Sequence, residues 1–183
     1  MKKGILFLLL AAVICSHGLA GNPTNPILFV TQVPMPDETN TRTILQTKTS
    51  CVSPIQNPLG DTISAGRGGA LMIRYSNGSV RNLTGEAGYG LALANGNVSG
   101  AQGANGIAVQ HPFVHWSGTK AIFSMVVGGP VSVGDATQFH WQLYEVTNLA
   151  QSHVGPAVIT YVAGQPANYN NLQACYATDG RII

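Results

Sequence analysis

Ala70-Leu71-Met72-Ile73-Arg74-Tyr75, then Ser76-Asn77-Gly78-Ser79, then Val80-Arg81-Asn82-Leu83-Thr84 is the stretch that decides the fold class. Leu71, Ile73 and Tyr75 alternate with Met72 and Arg74, the period of two that puts one set of side chains on one face of a strand. Asn77-Gly78 between two such runs predicts a β-hairpin with a type I′ turn, because both central residues of that turn need positive φ.

Outward from this hairpin the chain keeps the same character. Ile27-Leu28-Phe29-Val30-Thr31-Gln32-Val33 is a continuous apolar run, read as a strand buried on both faces and stopped by Pro34 and Pro36. Residues 37–69 are polar and broken by Pro54, Pro58 and Gly60, a long loop. Residues 85–106 are rich in Gly, Asn and Ala, an extended loop too glycine-rich to hold a helix. Phe113-Val114-His115-Trp116 leads into the tight turn Ser117-Gly118-Thr119-Lys120, and residues 121–127 form a buried strand ended by Gly128-Gly129-Pro130. From Phe139 to Thr147 the sequence alternates again. Phe139, Trp141, Leu143 and Glu145 take one face; His140, Gln142, Tyr144 and Val146 take the other. Residues 158–162 supply a further strand. Charged residues make up only 9% of the chain while Gly and Pro are frequent, which favours short strands and turns over helices and coiled coils.

The N-terminus reads as an export signal over residues 1–20. Lys2 and Lys3 precede an apolar run at 5–14, and Gly18-Leu19-Ala20 gives the small residues of a cleavage site. That run is shorter than the roughly 20 apolar residues of a membrane-spanning helix, so no membrane span is expected once the signal is removed. The expected location is the periplasm or the exterior. Without Lys2 and Lys3 the nine basic residues fall to seven, matching the seven acidic ones. A formally neutral chain lacks the basic stripe that a phosphate backbone requires, and no nucleic-acid partner is expected.

Few residues point to chemistry. Cys51 and Cys175 are the cysteines left after the signal; in an oxidising compartment they either close a long loop as a disulfide or remain thiols, one of them meeting another part of a larger protein. On a regular strand His111 and His115 would share a face and could form a two-His metal site. In the competing reading His115 sits hydrogen-bonded in the turn beside Trp116, and His111 is a loop residue. The acids Asp37, Glu38, Asp61, Glu86, Asp135, Glu145 and Asp179 are scattered singly. There is no GxSxG string, Walker loop or CxxCH motif. Gln165-Pro166-Ala167-Asn168-Tyr169-Asn170-Asn171 is either an interaction loop presenting Asn168, Tyr169, Asn170 and Asn171 to a partner, or a structural loop whose amides satisfy backbone groups. No catalytic residue and no cofactor is assigned.

An internal repeat gives these segments an order. Trp116-Ser117-Gly118-Thr119-Lys120-Ala121-Ile122 aligns without a gap on Ala177-Thr178-Asp179-Gly180-Arg181-Ile182-Ile183. The unit resembles the blade repeat of TolB-type β-propellers, in which a W-S-x-D-G-K-x-I-x-F turn and strand and an R-x-L-T strand recur; Arg81-Asn82-Leu83-Thr84 matches the latter. The resemblance implies an all-β fold, a partial β-propeller of about one to two antiparallel blades with long Gly/Asn-rich loops. Residues 27–183 form its incomplete domain, expected to be truncated inside a strand. Missing blades or another protein subunit would be its partners, because blades bury their faces only against neighbours.

Longer strings, among them Val114-His115-Trp116-Ser117-Gly118-Thr119-Lys120-Ala121 and Trp141-Gln142-Leu143-Tyr144-Glu145-Val146-Thr147, resemble exported bacterial proteins related to the hydrazine synthase alpha subunit. That resemblance spans most of residues 27–183 and implies a propeller-like middle domain. The enzyme of that family is a multi-haem protein that binds haem through CxxCH motifs, which this chain lacks, and His111 precedes Pro112 where an acidic residue is expected. None of its catalytic residues carries over, and fold alone does not give function. The expected role is a non-catalytic exported scaffold or interaction surface. The alternative is a fragment of a hydrazine-synthase-alpha-like haem oxidoreductase subunit without its haem-binding part.

Overall fold

A computed structural model describes residues 23–32, 67–90, 106–129 and 137–183. Residues 1–20, read as a signal, Cys51 and the greater part of the two stretches read as long loops lie outside the described residues. Among the described residues the regular structure is two antiparallel sheets and a single helical turn. The first sheet runs β1 (Ile27–Thr31), β2 (Ala70–Arg74), β3 (Val80–Asn82), with α1 (Leu83–Glu86) following directly. The second is a four-stranded meander in chain order: β4 (Ile107–Val114), β5 (Lys120–Val127), β6 (Gln142–Thr147) and β7 (Val158–Tyr161). The all-β expectation holds.

The 70–84 hairpin forms, with Met72 opposite Asn82 and Arg74 opposite Val80. Its turn differs from expectation. Gly78 N–H donates to the Tyr75 carbonyl and Tyr75 N–H to the Ser79 carbonyl, each at 2.9 Å. Gly78 has φ 86° and Asn77 stays out of the left-handed region. This is a three-residue loop, a type I turn closed by a glycine bulge. Asn77 Oδ1 accepts the Ser79 N–H at 2.9 Å, a local bond that holds Asn77 in this arrangement. The same geometry returns at the C-terminal end. Gly180 N–H donates to the Ala177 carbonyl, Ala177 N–H to the Arg181 carbonyl, and Asp179 Oδ1 accepts the Arg181 N–H. At the β4–β5 turn Gly118 N–H donates to His115 O, but the closing bond runs from His115 N–H to Lys120 O. That loop is one residue longer. The gapless alignment therefore needs a correction: Gly118 corresponds to Gly180, and Thr119 is the additional residue.

Three further expectations change. Strand β1 is an edge strand, not one buried on both faces: Ile27 is half exposed, and Leu28 and Val30 alone face the core. The run 80–84 is not strand to its end, because Asn82 caps a helical turn, its Oδ1 accepting Gly85 N–H at 2.8 Å. Strand β4 begins at Ile107, ahead of the expected Phe113, and contains Pro112. A bulge between Gln110 and Phe113 accommodates that proline, with His111 at φ 51°.

Each face of the second sheet is covered by a different layer. Its inner face sends Ile107, Val109, Ala121, Phe123, Met125 and Val146 against Leu71, Ile73, Tyr75 and Leu83 of the first sheet and its helical turn. Its outer face carries Ala108, Val126 and Trp141 in one cluster and Ile122 with Ala174 and Tyr176 in another. The outer cover is the segment running into the C-terminal hairpin, where Tyr176 bridges Ile182. Strand β5 is consequently buried from Ala121 to Val126. The alternation expected over 141–147 is present, with Tyr144 and Val146 inward and Leu143 outward.

Arg81 ties the two sheets together. Its guanidinium pairs with Glu86 at 2.9 and 2.6 Å and donates to the Tyr75 hydroxyl and the Asn148 carbonyl, each at 3.0 Å. Tyr75 Oη donates to Leu149 O at 2.8 Å, and Glu86 Oε2 also accepts Ala157 N–H at 3.0 Å. The β6–β7 connection is thus bound from both ends to the first hairpin.

Candidate interaction surface at the β4–β5 turn

The turn residues follow directly from β4 and β5, so the sheet fixes their position. His115 Nδ1 accepts the Ser117 N–H at 3.1 Å and lies 2.8 Å from Ser117 Oγ, which contacts Thr119 Oγ1 at 2.7 Å. A ring nitrogen that accepts an amide proton leaves the neutral imidazole protonated on Nε2. His115 is therefore hydrogen-bonded within its turn, whereas His111 lies inside β4 and not in a loop.

An aromatic file is built on this turn. The His115 ring lies 3.7 Å from Trp116 and 4.8 Å from Tyr176, centroid to centroid, and Phe113 lies 6.3 Å from Tyr176. Lys120 Nζ sits 5.0 Å above the Tyr176 ring and 2.8 Å from Glu145 Oε2. The Tyr176 hydroxyl donates to the same carboxylate oxygen at 2.9 Å. Burial, then this bond to Glu145, pushes the Tyr176 hydroxyl well above the ordinary phenol range. Tyr176 is buried, while Trp116 is 59% exposed and Phe113 43%. The surface thus has a buried base, Tyr176, and exposed aromatic tips, Phe113 and Trp116, while exposed Val114 alternates to the other face of β4, opposite Ala121.

On the other side of the turn lies an open cleft of about 360 Å³ between residues 118–120 and residues 147–150, with His153 at its rim. Its floor is firm, since the carbonyls of Asn148 and Leu149 are held by Arg81 and Tyr75.

The residues singled out by sequence are dispersed. The bulge in β4 reverses the alternation between Gln110 and Phe113, so the spacing that would set His111 and His115 on one face of a regular strand does not apply. Burial lowers the His111 pKa, and its Nδ1 is buried. Among the described residues no three His, Cys, Asp or Glu side chains cluster as metal ligands, and no helix is long and apolar enough to cross a membrane. Cys175 is half-buried beside the C-terminal bridge; its suggested partner Cys51 lies outside the described residues. In the 165–171 loop Asn168 and Tyr169 are exposed, but Asn170 and Asn171 turn inward onto β6.

Lys120, Glu145 and Tyr176 are the members that sequence reasoning missed. Lys120 and Glu145 are diagonal neighbours on adjacent strands, a relation visible only once Ile122 is set opposite Glu145. Comparison of the chain with family models, with curated proteins and with solved structures gives no match.

Proposed function

We propose that this chain is a non-catalytic exported module of β-propeller type that serves as a scaffold or interaction surface in a larger assembly, the turn end around Phe113 and Trp116 being the contact region. The exposed aromatic cluster on a rigid base is the observation that carries this reading. Phe113 and Trp116 both pack on the buried Tyr176 ring, and aromatic residues are the usual anchors of protein interfaces.

The layering supports the propeller part of the proposal. Antiparallel sheets follow one another in chain order, each covering the next, and the same tight turn introduces the hairpin at 177–181. A four-stranded meander is the unit of a blade. The partner on this reading is a further sheet of the same type or another subunit, met in the periplasm or outside the cell.

Sedimentation velocity of the chain from Gly21 onward tests the proposal. Concentration-dependent self-association is expected at micromolar protein, weakened at least tenfold by the pair Phe113→Ser and Trp116→Ser. A monomer at all concentrations, or association indifferent to both substitutions, would sink it.

A further inference from the structure

The segment 172–183 covers the outer face of the second sheet, and apolar contact is nearly all that holds it there. Up to Asn171 the chain is bound to β6: Gln165 Oε1 accepts Leu143 N–H at 2.7 Å, Asn170 Oδ1 accepts Trp141 N–H at 3.1 Å, and Asn171 N–H donates to Trp141 O at 2.8 Å. Past that point the backbone bonds stay within the segment, pairing Cys175 with Ile183 and Ala177 with Arg181. Among the described residues the one hydrogen bond that joins it to the sheet runs from the Tyr176 hydroxyl to Glu145. Leu172 packs on the cluster of Ala108, Val126 and Trp141, while Ala174 and Tyr176 pack on Ile122. Between these two contacts, on the same face, Gln110 and Ser124 stand opposite one another, both fully buried and without hydrogen-bond partners among the described residues. Gln173, between Leu172 and Ala174, holds φ 59°, in the left-handed region that a residue with a Cβ adopts only at a cost.

We propose that residues 172–183 are a latch that opens as a unit while both sheets stay folded, and that its closure completes the aromatic surface at the β4–β5 turn. Local opening is easiest where few hydrogen bonds and few apolar contacts cross a boundary. Opening here breaks the bond to Glu145 and uncovers two small apolar clusters. In exchange it hydrates the Gln110 amide and the Ser124 hydroxyl, which in the closed form give up water without gaining a protein partner. It also lets Gln173 leave the left-handed region. The inner core and the links from Arg81 and Tyr75 are untouched, since none of their residues belongs to the segment. What opening takes away from the rest is Tyr176, the ring against which Phe113, His115 and Trp116 stand. A partner seated on those residues binds the closed form, so closure and binding strengthen each other by the same factor. That linkage rests on reading the turn as a contact surface; the opening does not.

Amide hydrogen exchange of the chain from Gly21 onward, followed residue by residue by NMR in dilute solution, tests the opening. The N–H groups of Cys175, Ala177 and Ile183, each bonded within the segment, should exchange together. Their protection should be at least tenfold below that of Phe123 and Met125 in β5 and should depend little on urea. Ser124→Ala, which removes one orphaned group without adding bulk, should raise the protection of these three amides about threefold, and Gln110→Leu combined with it at least tenfold. Exchange of the three amides at the β5 rate, or protection that neither variant raises, would overturn the latch. At concentrations where the chain associates through Phe113 and Trp116 their protection should rise further. Association that leaves it unchanged would refute the link between closure and binding. A chain that stays monomeric refutes the contact-surface reading and that link with it, and the exchange data then decide the latch alone.

Discussion

Replacing Tyr75 by Phe isolates the bond that joins the two sheets. The ring is 1% exposed and its hydroxyl both donates to Leu149 O at 2.8 Å and accepts from Arg81 at 3.0 Å. Phe keeps the ring and so opens no cavity; only the polar links go. Arg81 retains Glu86 and the Asn148 carbonyl, so its loss is small. The Leu149 carbonyl loses a partner within a buried residue, and an orphaned buried group costs about 1–3 kcal/mol. A total of about 2 kcal/mol follows, which for a domain of this size lowers Tm by roughly 4–8 °C. Urea unfolding followed by tryptophan fluorescence measures it, with an unchanged m-value as the sign that native compactness is preserved. Arg81→Met in a double-mutant cycle with Tyr75→Phe should then show coupling above about 0.5 kcal/mol. A Tyr75→Phe effect under about 0.5 kcal/mol would refute the view that the sheets are tied through this hydroxyl.

Glu86→Gln should cost about 1 kcal/mol at neutral pH, a modest figure because the Arg81–Glu86 pair is partly exposed and screened. The hydrogen bonds from Arg81 hold the Glu86 carboxyl below its usual range, with burial opposing. Its stabilising share is therefore complete above the unfolded value of about 4.3 and is lost as the pH falls through the lower folded value. Urea melts from pH 7 down to 3 should accordingly show the gap between native and variant chains flat above about pH 5 and closing in acid. Gly69→Ala places a Cβ 2.5 Å from the Thr31 carbonyl oxygen on the neighbouring backbone, so a thermal melt should show a loss of about 1–3 kcal/mol. Asn82→Ala removes the cap of the helical turn, and a loss of about 1 kcal/mol is expected in the same assay.

Local pattern carried the strand content of the sequence, and non-local pairing decided what local pattern left open. The 70–84 hairpin and the 121–127 strand were legible because the alternation of β2 and the continuous apolar run of β5 agree with their burial. Asn77-Gly78 marked a turn correctly but misassigned its type, since closure at Ser79 depends on a backbone bond that dipeptide statistics do not contain. Ile107 to Gln110 has no assignment in the sequence reading, and the bulge that admits Pro112 into β4 is a property of pairing with β5. The helical turn at 83–86 is too short for any periodicity and is set by one cap. At the proposed surface, Trp116 and its turn were visible, whereas Tyr176 reaches them from 60 residues away. The two readings of the 165–171 loop were equally compatible with its composition, and the bonds to Leu143 and Trp141 assign its inward amides to backbone satisfaction.

The two faces of the second sheet are not equivalent, and this bears on how the layers hold together. The inner face is a continuous apolar contact backed by the Arg81 and Tyr75 links. Across the outer face Gln110 lies opposite Ser124, both fully buried, and neither side chain finds a hydrogen-bond partner among the described residues. Each such group weakens the contact by about 1–3 kcal/mol relative to a satisfied one. The outer apolar clusters around Trp141 and Ile122 are also smaller than the inner core. The junction between the second sheet and the C-terminal layer is thus the weaker of the two. That ordering places the least secured layer beside the aromatic turn, since Tyr176, the residue that covers Ile122, is also the base of the exposed surface. A partner bound at Phe113 and Trp116 would press on Tyr176 and so reinforce the junction that the chain itself holds least firmly.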